Sequence, residues 1–286
     1  MTKYVTAELW SKLPKKFHFK GDPTDWVKMT RPGQTLHSFL EGPVFDGYGN
    51  LWLVDVPYGR IFCINKNGEW HVDKEYDGEP HSIKKKSDGN FLITDYKNGL
   101  LEYDGNGNLK TLIPSDQFKG LSDLSIAENG DVWFTDSGRT SLTDPTGGVY
   151  CLRASGELEH VLANVPYPNG ITLCPEGKFV YVAATRANAV WRFMANYPEP
   201  KWPMVGTYVQ MSGGLGPDGL AVQSNGNLAV AHAQAGRAYV YNVFGDTVAL
   251  ITLPDGLWIT SLIYQKNTLY LIEAQTGSIY WVELEE

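Results

Sequence analysis

Three tripeptides set an oxygen-bearing side chain beside a glycine: Glu41-Gly42-Pro43, Pro168-Asn169-Gly170 and Pro217-Asp218-Gly219. Carboxylate and amide oxygens are hard donors, and a set of them suits a divalent cation such as Ca²⁺, Mg²⁺ or Mn²⁺. The adjacent glycine lets backbone or a ligand come close. Any one of the three could be an ordinary turn entering a strand, where Asn-Gly and Asp-Gly are common. Their places in a larger pattern decide between the two readings.

That pattern is an internal repeat. A Gly- or Asn-bearing turn, an apolar strand, a second turn and another strand recur six times, with copies starting at Asp46, Ser87, Ala127, Pro175, Gln223 and Tyr264. The turn residues are Gly49, Gly89, Gly130, Gly177, Gly226 and Asn267, at intervals of 40, 41, 47, 49 and 41 residues. This period suits a four-stranded propeller blade. The expected architecture is all-β: one six-bladed β-propeller domain over residues 1–286, with blades from about residue 41. The last repeat ends near Leu284 after three strands, and an open ring would leave a blade edge unpaired. A segment within 25–39 is therefore expected to supply the missing outer strand, with the residues before it wrapping the surface. Insertions at 139–148 and 195–204 belong on loops.

The repeat brings the tripeptides into register. Eight positions before each turn residue stand Glu41, His81, Ser122, Asn169, Asp218 and Ile259, at the entry to each innermost strand. Six positions after it stand Asp55, Asp95, Asp136, Ala183, His232 and Glu273, at the exit of the second strand. Antiparallel strands put entry and exit at one end, so all twelve surround one mouth of the channel. Six of the twelve are carboxylates, a costly gathering without a cation or protonation. Glu41, Asn169 and Asp218, on the inner ring, are the leading ligands. In the outer ring, Asp55, Asp95 and Asp136 could instead cap turns through bonds to backbone. Loops beyond the second strands should roof the mouth, offering Tyr58, Arg139 and Arg186 beside Asp136 as substrate contacts. Arg186 would suit a substrate carboxylate.

Composition narrows the partners. The net charge is -8, and there is no basic stripe of the kind nucleic acid requires. Lys84-Lys85-Lys86 reads as a solvated strand end. No run approaches 18 apolar residues, and the first twenty carry no signal-like stretch, so neither a membrane span nor export is expected. The three cysteines, Cys63, Cys151 and Cys174, form no thiolate motif and no even disulfide set. They read as buried thiols of a cytoplasmic protein. Trp52, Trp133 and Trp191 read as blade core.

The six-blade pattern with its EGP, PNG and PDG phrases resembles the regucalcin and gluconolactonase family, from Glu41 to the C-terminus. The resemblance implies a six-bladed propeller with one divalent ion in the channel, Ca²⁺ foremost and Mg²⁺, Mn²⁺, Fe²⁺ or Zn²⁺ as alternatives, and hydrolysis of a lactone. It implies that Glu41, Asn169 and Asp218 ligate the ion, with Asp218 helping to activate water. Two positions depart from the family. Ser122, before Asp123, stands where a fourth ligand is often Asn, so its shorter hydroxyl or a water would fill that place. Gly120 stands where sugar-acid lactonases often carry Arg, which argues against a polyol-tailed substrate.

Three functional readings follow. One is a metal-dependent lactonase or related ester hydrolase acting on a small molecule, with Asp218 as base and His81 and His232 as rival bases. Another is a different metal-assisted enzyme acting on a ring or activated carbonyl. The third is a non-catalytic propeller binding a small ligand or protein. No G-x-S-x-G or H-E-x-x-H sequence supports a serine nucleophile or a helical zinc site.

Overall fold

The computed structural model describes residues 2–197 and 203–284. Six sheets of antiparallel strands follow one another in sequence order. The innermost strands are Leu40–Phe45, Pro80–Lys85, Leu121–Ile126, Pro168–Leu173, Gly216–Val222 and Ile259–Gln265. Each packs against the innermost strand of both neighbouring blades, and the contact of Ile259–Gln265 with Leu40–Phe45 closes the ring. The expected six-bladed propeller is thus the fold. Between blades lie apolar clusters, such as Leu40, Leu53, Phe62 and Ile272 across the junction of the first and last blades. Trp133 is 1% exposed, Trp52 is buried and Trp191 packs against a core cluster, as expected of blade-core residues.

The ring closes differently from the expectation. Glu8–Lys12 is the outer strand of the last blade, pairing antiparallel with Ser278–Glu283 through Leu9↔Tyr280 and Lys12↔Ser278. Before it, Lys3–Thr6 adds a fifth, parallel strand to blade 5. Residues 2–12 therefore join two blades rather than wrap the surface. Trp10 meets Tyr270 edge-on at 5.3 Å, and Ser11 Oγ donates to Gly68 O and accepts from Trp70 Nε1, which ties the closing strand to blade 1. The 25–39 segment begins instead with a short helix, Asp25–Thr30, because Thr24 caps it by accepting from Val27 N and Asp25 places an acid in its first turn. Its Trp26 and Val27 are buried with Phe39, Val56 and Ala274.

Residues 139–146 lie between strands, as expected of an insertion loop. In the other insertion, 198–202 lies outside the described residues. No helix among the described residues is long and apolar enough to cross a membrane. The three cysteines are buried and free.

Candidate functional site

Every innermost strand loses register with its neighbour near its entry. The interruptions fall between Glu41 and Val44, Pro80 and Ser82, Leu121 and Leu124, Pro168 and Ile171, Pro217 and Leu220, and Ile259 and Ser261. A bulge frees residues from strict alternation and re-aims their side chains. His81, Ser122, Asn169 and Asp218 all fall inside these irregular stretches, and Glu41 borders one. The glycines that follow serve the packing of blade on blade. A Cβ on Gly170 would collide with Asp218 O, and one on Gly219 would come 2.7 Å from Ser261 Cα. Gly42, at φ 55°, would meet Ser82 Cα.

Threonines hold the same segments from the preceding blade. Thr135 Oγ1 donates to Asn169 O at 2.7 Å, Thr185 Oγ1 to Pro217 O at 2.7 Å and Thr260 Oγ1 to Leu40 O at 2.8 Å. Thr94 Oγ1 donates to Ser122 O. The ladder register also corrects two aligned positions. Ile259 pairs with Glu273 as Leu40 pairs with Asp55, so Thr260, not Ile259, corresponds to Glu41. Ala184, not Ala183, faces Pro168.

Glu41 and Asp218 come together at the centre, 8% and 6% exposed. Burial holds the Glu41 carboxyl well above its ordinary range, aided by the charges of Asp218 and Asp123 and opposed by Arg31. Asp218 is raised likewise, by burial and then by Asp123, against Arg31. Ser122 Oγ donates to Asn169 Oδ1 at 2.8 Å, so these two predicted ligands also meet. The grouping holds two carboxylates, an amide and a hydroxyl. No trio of His, Cys, Asp or Glu side chains placed to hold a metal occurs among the described residues. Two buried carboxylates repelling each other, with neutral oxygen donors beside them, fit a hard divalent cation.

Three residues that sequence reasoning did not place belong to this neighbourhood. Asp123 acts electrostatically on both Glu41 and Asp218, while its carboxylate accepts from Leu124 N at 2.8 Å. Its signal was adjacency to Ser122 in a stretch that the bulge lets face inward. Lys84 donates to Pro43 O at 3.0 Å and faces the charge of Asp123, and burial lowers its pKa. It is thus a half-buried partner between blades, not a solvated strand end. Lys85 donates to Asp46 O at 2.7 Å, and Lys86 pairs with Glu102 and Asp88 at 2.6 and 2.7 Å. Arg31, after the helix, is 7% exposed and lies over Trp258. No motif marked it.

The remaining candidates separate. His81 is half-buried near Trp26 and Tyr96, with Nδ1 3.0 Å from Glu79 O, and burial pushes its pKa down to about 4. His232 is 1% exposed, and its Nε2 lies 2.9 Å from Gly213 O, holding the loop that precedes Gly216. Asp136 accepts from the backbone N–H groups of Lys119 and Gly120, at 2.9 and 2.7 Å. Asp55, Asp95 and Glu273 bind Phe39 N, Glu79 N and Trp258 N in the same way. These carboxylates therefore tie down the chain that enters the innermost strands of blades 1, 2, 3 and 6. Asp136 is occupied in that task rather than turned to substrate. Tyr58 donates to Leu36 O and stacks on Phe19 at 3.9 Å, clamping the N-terminal segment. Arg139 and Arg186 are exposed and line one cleft of about 570 Å³ with Met29, Thr30 and Tyr167. Tyr167 feels the charges of Asp218, Glu41 and Arg186, so it stands between this cleft and the centre. Tyr96 occupies the space that a side chain at Gly120 would need.

Residues 39–275 match a family model described as the SMP-30/Gluconolactonase/LRE-like region. A lactonase, drp35, of Staphylococcus aureus is 29% identical over 242 residues, covering 80% of this chain and 73% of that protein. Its namesake in Staphylococcus epidermidis is 30% identical over 241 residues, with the same coverage. Among solved structures, the calcium-binding protein regucalcin of Agrobacterium tumefaciens superposes with a TM-score of 0.76 at 19% identity, covering 99% of this chain and 95% of that one. A gluconolactonase of Xanthomonas campestris gives 0.74 at 18% identity, covering 87% and 86%. At these identities the structural likenesses speak to the fold.

Proposed function

The chain belongs to the SMP-30/Gluconolactonase/LRE-like family, and on that premise we propose that it is a lactonase acting on a small cyclic ester at the channel mouth. The observation that carries this reading is the pairing of two buried carboxylates, Glu41 and Asp218, with the Ser122–Asn169 pair on re-aimed entries of the innermost strands. Glu41, Asn169 and Asp218, with Ser122 at the margin, would hold one divalent ion, with calcium the first choice. When bound, such an ion supplies Lewis acidity to the acyl oxygen and neutralises the carboxylates.

The chain's own groups do the rest. Asp218 accepts a proton from the attacking water, whose oxygen bonds to the acyl carbon. The acyl–oxygen bond of the ring then breaks, and the ring oxygen leaves as an alcohol carrying a proton. A hydroxy acid results. His232 is a poor rival base because Gly213 O and the protein interior enclose it. His81 is poor because burial depresses its basicity. It is better suited to shaping the wall between Trp26 and Tyr96. Arg139 and Arg186 would receive the part of the substrate that lies outside the mouth. The buried, free cysteines accord with a reducing cytoplasm.

The test is to strip the protein with chelator and assay a panel of small lactones after restoring Ca²⁺, Mg²⁺, Mn²⁺, Fe²⁺ or Zn²⁺, beside Asp218→Ala. Turnover that returns with metal and is lost in the variant is expected. Stoichiometric binding without turnover on any lactone would move the function to another reaction or to ligand binding.

A further inference from the structure

Arg31 stands out among the charged groups. Its backbone N–H closes the helix by donating to Val27 O at 2.7 Å, which fixes where the side chain starts. The guanidinium carbon lies 3.0 Å from the centroid of the Trp258 ring and 4.9 Å from that of Phe39. Glu41 and Asp218 both act on it electrostatically, yet among the described residues it makes no hydrogen bond and no ion pair within 4.0 Å. A guanidinium carries five N–H donors and no acceptor. The residue is 7% exposed, yet its nitrogens are not among the buried polar atoms without a partner, so the donors reach solvent and stand open to an acceptor. An aromatic face holds the plane of the group but satisfies none of its N–H bonds.

Its surroundings say which acceptor these open donors suit. Met29 and Thr30, the residues just before Arg31, form a wall of the cleft that also holds Arg139 and Arg186. Tyr167 feels the charges of Arg186 as well as Glu41 and Asp218, and its charge acts on Arg31, so cleft and centre adjoin. Three arginines thus gather at one mouth of a chain whose net charge is -8. Planar, paired N–H donors match a carboxylate better than a single-point anion.

We infer that Arg31 is the carboxylate-binding and specificity-determining residue of the mouth. It receives the carboxylate of an open-chain hydroxy acid, the group that ring opening generates. The assignment to product rests on the lactonase reading, whereas recognition of a carboxylate by Arg31 does not.

The test is isothermal titration of the full chain, calcium-loaded so that Glu41 and Asp218 are neutralised, with 4-hydroxybutyrate, butyrate and uncharged butyramide. Wild type is expected to prefer both carboxylates to the amide. In Arg31→Met that preference should fall by about tenfold or more, the range for a charge-assisted bond. Arg31→Lys should keep part of it, because charge remains while the fork is lost, and it serves if the methionine variant does not fold. A purely structural counter-ion would alter calcium affinity but leave the carboxylate-to-amide ratio unchanged. An unchanged ratio in both variants, or no preference in wild type, would overturn the inference. Carboxylate binding through Arg31 without turnover of any lactone would instead overturn only the lactonase reading.

Discussion

Asp218→Asn is expected to raise the stability of the metal-free protein while removing its response to calcium. Asp218 and Glu41 are 6% and 8% exposed, and each is pushed towards its neutral form by burial and by a neighbouring carboxylate. Two unit charges 4 Å apart at an effective dielectric of 20 repel by about 4 kcal/mol. Greater separation, partial protonation and the opposing charge of Arg31 reduce this, leaving a relief of roughly 1–2 kcal/mol, typical when a functional charge is removed. For a chain of this size that corresponds to a rise of ~2–8 °C in Tm. Calcium at a hundred times its Kd should stabilise wild type by about 2.7 kcal/mol and the variant hardly at all. Differential scanning calorimetry in chelator and across a calcium titration measures both, with Glu41→Gln as the reciprocal variant. If Asp218→Asn melts below wild type in chelator, the two carboxylates do not repel. If wild type is unmoved by any of the five cations, the centre is not a metal site.

Other outcomes follow from the supports around the centre. Arg60→Met leaves the fully buried Asp55 without its cation and frees the carbonyls of Phe17 and His37, so a loss of about 3–5 kcal/mol in urea unfolding is expected. Adding Asp55→Asn should recover part of that loss. Thr135→Val removes the bond to Asn169 O, and calcium affinity should fall about 10- to 100-fold with folding retained. Burial keeps the His81 pKa near 4, below the unfolded value of about 6.5, so the neutral ring's share of stability is full above pH 6.5 and is lost as pH falls towards 4. The size is up to about 3 kcal/mol, and an NMR midpoint near 6.5 for the His81 ring would contradict it. Removing residues 1–13 leaves the last blade with three strands and should abolish the single cooperative transition.

The repeat was legible because each blade announces itself through local turn chemistry. Gly49, Gly89, Gly130, Gly177 and Gly226 all have positive φ, a conformation that selects glycine whatever the tertiary context. Counting from those turns located Glu41, Ser122, Asn169 and Asp218 correctly, because the hairpins of blades 1, 3, 4 and 5 share one length up to the bulge. It failed by one residue at Ile259 and at Ala183, since neither the tighter turn at Asn267 nor the extra residue in the turn that Cys174 N closes on Phe179 O leaves a mark on a constant offset. The closing strand was missed for a different reason. Glu8–Lys12 pairs with residues some 270 positions away, and the turn-based repeat carries no trace of that pairing. Asp123 and Lys84 were hidden by geometry too, one inside a bulge that breaks alternation and one on a strand face directed between blades.

In the outer ring, residue type leaves two readings open and the hydrogen bonds decide between them. Asp55, Asp95 and Asp136 could by type be further oxygens for a cation or caps bonded to backbone, and each, like Glu273, accepts backbone N–H groups from the chain that leads into its blade's innermost strand. A carboxylate satisfied by such bonds has little left to offer a cation or substrate. The residue before two of these positions completes the logic. Thr94 and Thr135, just before Asp95 and Asp136, donate to the entry segment of the following blade. Thr260 performs the same bond across the closing junction, from the innermost strand of blade 6 to Leu40 O. Blades 1, 2, 3 and 6 thus anchor their own entries with a carboxylate, and blades 2, 3, 4 and 6 anchor the following blade's with a threonine hydroxyl. Glu41 and Asp218, held against their mutual repulsion, are positioned by groups contributed around the ring. Closure by Glu8–Lys12 is therefore a condition for the chemistry as well as for the fold: loosening the last blade would release Thr260 and, through Leu40, Glu41.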